Sequence, residues 1–132
     1  MVELTEKARK FLSAPNFAAL ATQNGDGWPQ VSAMWVHVED GHVLMNTALG
    51  RLKERNLRRD PRLAVTVVDR EDPYDKVTIR GQVVEFIEGE RAEADIDRLA
   101  AKYIGRSPYP WRKPGERRVT LLIEPLSVSD ER

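Results

Sequence analysis

Two periodicities alternate along the chain. Residues Phe17 to Gln23, Val31 to Val38, Val43 to Thr47, Leu63 to Val68, Lys76 to Ile87 and Arg118 to Val128 are short runs rich in β-branched or aromatic residues. Each is bounded by turn residues, so the pattern predicts six strands. Helical spacing occupies three other places. Thr5 can cap a first helix that carries Ala8, Phe11 and Leu12 on one side and ends before Pro15. A second runs from Leu49 to Arg59 and stops at Asp60-Pro61, and a third runs from Glu90 to Ile104 with Ile96, Leu99, Ala100 and Tyr103 as its apolar stripe.

The connections are as informative as the runs. Asn24 to Gly27 and Glu39 to Gly41 supply residues that tolerate positive φ, which predicts tight turns and a meander of the first three strands. In Lys76 to Ile87 the apolar parity slips between Ile79 and Val84, which predicts a bulge or barrel corner near Gly81. Residues Val31, Ala33 and Trp35 alternate with Met34, Val36 and Val38, so that strand is apolar on both faces. One face, including Val36 and Val38, is therefore expected to meet a second copy of the chain. The expected fold is mainly β with accessory helices, a six-stranded antiparallel barrel forming one domain over residues 1–132.

Composition narrows the function classes. The chain has 132 residues, no cysteine, and 21 Lys+Arg against 21 Asp+Glu. Disulfide scaffolds and thiolate metal sites are excluded, and its mass suffices for a core without them. No run approaches the ~20 apolar residues of a membrane span, and the first residues are charged, so a cytoplasmic protein with no membrane partner is expected. Zero formal net charge argues against a nucleic-acid partner.

Candidate chemistry concentrates in one basic stretch. Arg51, Lys53, Arg55, Arg58, Arg59 and Arg62 are opposed there only by Glu54 and Asp60. Arg55, Arg58 and Arg59 read as a solvated helix face. Lys53 and Asn56 instead share the arc of Leu49 and Leu57, which turns toward the barrel, so Lys53 needs an anionic partner from the protein or from a ligand. Strand Val43 to Thr47 leads directly into this helix. Thr47, Arg51 and Lys53 thus gather a hydroxyl, a guanidinium and an ammonium near a helix N-terminus, a combination suited to phosphate.

The segments FAALATQNGDGWPQVSAMWV, LMNTALGRLKERNLRRDPRLAV and RGQVVEF resemble the split β-barrel flavin and deazaflavin proteins of the pyridoxamine-phosphate-oxidase class, especially the branch that uses coenzyme F420. The resemblance covers most of residues 17 to 87. It implies an FMN-binding-protein-like split barrel, a homodimer with cofactor sites between subunits, and Thr47, Arg51 and Lys53 as phosphate ligands. It further implies an F420-dependent oxidoreductase that passes hydride between the deazaflavin and a small organic substrate. FMN is the alternative cofactor, and a non-catalytic F420- or FMN-binding protein the alternative role. Arg55, Arg58 and Arg59, with Arg112 and Lys113, offer cations for the glutamate tail of F420. The chain closes on LSVSDER without the Arg- and Trp-bearing segment of the parent oxidases, so a pyridoxal-phosphate substrate is not expected.

The stretch Gly105 to Glu116 joins three prolines to Tyr109 and Trp111, a composition that suits a lid over a planar ring. Trp28 and Tyr74 are further candidates for a ring pocket, whereas Trp35 reads as structural. His37 and His42 lack partners at metal-ligand spacing. No G-x-S-x-G motif supports hydrolase chemistry.

Overall fold

A computed structural model describes residues 1–131. Ten elements follow in the order α1 (Glu6–Ser13), β1 (Ala18–Gln23), β2 (Pro29–Met34), β3 (His37–Glu39), β4 (His42–Ala48), α2 (Leu52–Arg59), β5 (Arg62–Val68), β6 (Lys76–Ile87), α3 (Glu90–Ile104) and β7 (Arg118–Ser129). The strands form one antiparallel sheet in the order β2-β1-β5-β6-β7-β4-β3. The Thr5 hydroxyl caps α1 by accepting the Ala8 N–H at 3.1 Å. The β3–β4 hairpin turns on Asp40 and Gly41, both at positive φ (49° and 78°), the backbone that the Asp-Gly pair favours.

Three expectations are corrected here: the closed six-stranded barrel, the meander and the subunit face. The sheet has seven strands rather than six and is not closed by hydrogen bonds, because the single strand expected over Val31 to Val38 breaks at Trp35 and Val36. The first three predicted strands consequently form no meander. The β2 and β3 segments lie at opposite edges of the sheet, linked by only those two residues. The break also explains the doubled apolar parity. Val36 is fully buried in the main core and Val38 packs against it, so the Val36 face serves the interior of this chain rather than a subunit interface.

Side chains from α3 and the end of α1 fill the seam between the two edges. Tyr103 Oη accepts the Val36 N–H at 3.1 Å and donates to the Asn16 carbonyl at 2.5 Å. Burial pushes its pKa up to about 12, so it stays protonated. Lys102 Nζ donates to the carbonyls of Leu12 and Val36, both at 2.7 Å, and lies 3.1 Å from His37 Nδ1. Burial lowers the Lys102 pKa to about 8.

The core groups Leu12, Leu20, Val36, Met45, Leu57, Ile79 and Leu121 within the curled sheet under α1 and α2. A second cluster, Leu44, Ile96 and Leu99, seats α3 on the opposite face of β4. The parity slip in β6 is real. The β6–β7 register shifts at Arg80/Gly81, where β7 carries the extra Leu126, and again at Val83/Glu85, where β6 carries the extra Val84. Gly81 is required by space, since a Cβ there would stand 2.4 Å from the Glu124 carbonyl oxygen. Helix α2 begins three residues later than expected, because β4 continues to Ala48 and Gly50 turns the chain at φ 89°. Among the described residues no helix is long and apolar enough to cross a membrane.

Tyr103→Phe removes the acceptor of a buried backbone N–H and keeps the ring. It should lower unfolding stability by about 1–3 kcal/mol in denaturant titration, the cost of an unsatisfied buried donor.

Candidate functional site

β4 carries Asn46 and Thr47 just before its end at Ala48, and the Gly50 turn then delivers Arg51 as the N-cap of α2. No side chain caps that helix, so the N–H groups of its first turn stay open to a ligand. The nearest carboxylate, Glu54, instead accepts the Gly50 N–H at 2.8 Å and binds Arg58 at 2.7 Å. Beside this turn lies a cleft of about 290 Å³ whose polar side is formed by Asn46, Thr47, Arg51, Lys53 and Arg118.

The electrostatics of that corner are lopsided. Arg118 is buried and donates to Asn46 Oδ1 at 2.9 Å and to Glu116 Oε1 at 2.9 Å. Arg51 reaches the other oxygen of Glu116 at 3.3 Å. Lys53 makes no ion pair among the described residues, and its pKa is lowered, first by desolvation and then by Arg51 and Arg118. The Thr47 side-chain oxygen is buried without a hydrogen-bond partner. A buried hydroxyl left unpaired beside an unmatched ammonium is a costly arrangement that an anion would relieve.

Aromatic rings build the opposite wall. Trp35 stacks on Tyr103 with ring centroids 5.4 Å apart and planes 6° apart, while Tyr109 meets Trp35 edge-on at 6.0 Å. Trp111 lies 6.1 Å from Trp35 and 5.9 Å from Tyr109. The loop that carries Tyr109 and Trp111 is fastened to α3. Asp97 accepts the Tyr109 N–H at 2.8 Å, and Arg112 pairs with Glu93 and Asp97, both at 3.1 Å. Phe17, Met34, Ile96 and Leu99 complete the apolar lining.

The structure thus brings Thr47, Arg51, Lys53 and Trp111 to one cleft and leaves other candidates elsewhere. Asn56 is buried away from it, its amide donating to Thr22 at 3.0 Å and to Asn24 at 2.8 Å. Arg55 borders a separate shallow groove with Leu52 and Arg59. Tyr74 is exposed and lies outside the cleft lining, as does Trp28. Arg58 is held by Glu54 and Glu88 and lies over the Phe86 ring, and Arg59 donates to the Gln23 carbonyl, so neither is a loose surface cation. Trp35, read as structural, lines the cleft because the strand break turns it there. Asn46 and Arg118 escaped sequence reasoning, since each sits in a strand with no neighbouring motif. Among the described residues no group of His, Asp and Glu is placed to hold a metal ion.

The cleft thus sets a cationic turn at a helix N-terminus against an aromatic wall on one antiparallel sheet. The chain belongs to the family described as pyridoxamine 5'-phosphate oxidase, whose model matches residues 4–130. Among solved structures, an F420 reductase is 28% identical, with 97% of this chain and 100% of that chain covered and a TM-score of 0.83. A conserved hypothetical protein from Mycobacterium tuberculosis is 26% identical over 97% of this chain and 84% of its own, with a TM-score of 0.74. A putative pyridoxamine 5'-phosphate oxidase from Lactobacillus delbrueckii, 22% identical over 96% of this chain and 93% of its own, shares the fold with a TM-score of 0.65.

Two outcomes test the cationic corner. Lys53→Ala should weaken binding of a phosphate-bearing cofactor by about 1.5–3 kcal/mol, the scale of a charge-assisted hydrogen bond, whereas Arg58→Ala should change it far less. Calorimetric titration of both variants checks this, and equal losses would indicate a diffuse patch. The second outcome concerns pH. An anion favours the charged form of Lys53, so affinity is full while the free site is protonated and falls as pH rises through the lowered Lys53 pKa. Affinity should therefore decline below the ordinary lysine value of 10.5, and Lys53→Arg should abolish that decline.

Proposed function

We propose that this protein is an F420-dependent oxidoreductase acting on a small organic substrate. The observation that carries the reading is the cleft itself, in which an unpaired buried Thr47 hydroxyl and an unmatched Lys53 face an aromatic wall. These donors fit a phosphate attached to a planar ring system. Thr47, Arg51, Lys53 and the open N–H groups of α2 would hold the phosphate, and Arg118 would add a buried guanidinium. Trp35, Tyr109 and Trp111 would confine the ring and exclude water from one side. The deazaflavin, when bound, supplies the hydride chemistry. The chain's own part is binding, orientation and shielding, since no acid or base in the cleft lining stands out as a proton donor.

Similarity to an F420 reductase over its whole length supports F420 ahead of FMN. FMN remains the second reading, favoured by the shared phosphate corner. Contact with an F420 glutamate tail falls chiefly to Arg55, which borders the open groove beside α2, because Arg58 and Arg59 are already engaged. A second copy of the chain is proposed to cover Phe17, Trp28 and Val31, large apolar side chains exposed just before β1, just before edge strand β2 and within β2. Phe17 lines the cleft as well, so such a dimer would help enclose the site.

Parallel fluorescence titrations with F420 and FMN test the assignment. F420 should bind more tightly, with a preference that shrinks as salt rises, because the tail contacts are exposed and screened over about 8 Å at physiological ionic strength. A preference for FMN at every salt concentration would promote the FMN reading. Binding of neither would reject both.

A further inference from the structure

A chain of buried hydrogen bonds leads away from the cleft into α3. Asp95 is 1% exposed, Thr120 0%, Asn46 5% and Arg118 4%, so no solvent interrupts it. Thr120 donates its hydroxyl to Asp95 Oδ2 at 2.6 Å. With its one proton spent, the Thr120 oxygen can only accept, and it accepts from Asn46 Nδ2 at 3.1 Å. The same Asn46 nitrogen donates to the Ala92 carbonyl at 2.9 Å. The Asn46 amide is therefore locked with its oxygen facing Arg118 Nε, 2.9 Å away. A flipped amide would set two donors against Arg118 and a carbonyl against another carbonyl.

At the far end of this chain stands Asp95. Its carboxylate is paired with Arg91 at 2.9 Å and with Arg98, and Arg91 is itself anchored by both oxygens of Glu39 on β3. An ionised carboxylate only accepts, so it dictates the sense of the Thr120 hydroxyl, whose oxygen then joins the Ala92 carbonyl in holding the Asn46 amide.

We infer that Asp95 is a positioning residue for the cleft, acting through Thr120 and Asn46 to fix the Arg118 guanidinium that faces the ligand anion. This inference rests on the proposed cofactor reading only for the nature of that anion. Neither Asp95 nor Thr120 lines the cleft, so neither touches the ligand. Their effect on affinity passes through Asn46 and the Arg118 that it holds. Arg118 is thereby held ready before the ligand arrives, and the cost of ordering it is met during folding.

The test combines a ligand-free and a ligand-bound readout. In the ligand-free protein, the Arg118 Nε–H should give a distinct nitrogen-15 NMR signal with slow solvent exchange. That protection should be lost in Thr120→Val and in Asp95→Asn and kept in Thr120→Ser. In fluorescence titrations with F420 and with FMN, Thr120→Val should bind about tenfold more weakly and Thr120→Ser within about twofold of wild type. A cycle with Arg118→Lys supplies the reading that a merely structural role would not give. Once Arg118 is replaced, Thr120→Val should cost little more, because both changes remove one coupled contact. Additive losses, or unchanged affinity in folded Thr120→Val, would overturn the inference. Fast exchange of the Arg118 Nε–H in the wild type would overturn it without any ligand, and also if Thr120→Val fails to fold. Slow exchange with no binding of either cofactor would reject the cofactor reading and leave the positioning chain standing.

Discussion

Everything in this fold depends on how the chain crosses from one edge of its sheet to the other in two residues. A strand that continued straight through Trp35 and Val36 would keep its hydrogen-bonding groups in register with a neighbour. Here the chain leaves the β2 edge and re-enters at the β3 edge, so the backbone groups of Val36 have no strand partner. Tyr103 and Lys102 take that role. One α3 turn thus meets the requirement that buried peptide groups be paired, and in doing so fixes α3 against α1, β2 and β3 at once. The same bend turns the Trp35 ring to the cleft and onto Tyr103. Closure of the fold and construction of the aromatic wall are one event.

The cleft follows the same economy. Its polar corner comes from the end of β4, the start of α2 and the start of β7, and its aromatic corner from the bend and the loop before β7. Each contributor is anchored on a different side. The Arg112 clamp ties the loop to α3, and the Asp95 chain ties Arg118 to the same helix. Helix α3 never supplies a charged group to the cleft, yet both corners are referenced to it. Its acidic residues include three that hold cleft elements in place: Glu93, Asp95 and Asp97.

How far the sequence could be read follows from the range of each interaction. Strand and helix periods are local, so α3 was legible to the residue and the strands nearly so, and the Asp40-Gly41 turn was written in two adjacent residues. The break at Trp35 was not legible, because an unbroken apolar run carries no punctuation and only the distant Tyr103 and Lys102 make the bend affordable. Lys53 was readable from helical spacing alone, although the helix starts after Leu49. Asn56 shows the limit of that argument: an inward arc indicates burial, and the partners that use up its amide, Thr22 and Asn24, lie on another hairpin. Arg118 and Asn46 pair across strands 72 residues apart, a relation no spacing rule reveals.

Glu116 gives the cleft a built-in counter-ion. It divides its two oxygens between Arg51 and Arg118, which eases the repulsion among three neighbouring cations. It also sets the charge stoichiometry of the site, since three cations against one carboxylate leave two positive charges unmatched. The complement is a doubly charged anion, such as a phosphate monoester, or a singly charged phosphodiester with a carboxylate close by. If the cleft takes a cofactor phosphate as proposed, Glu116 would set how much negative charge that corner can balance.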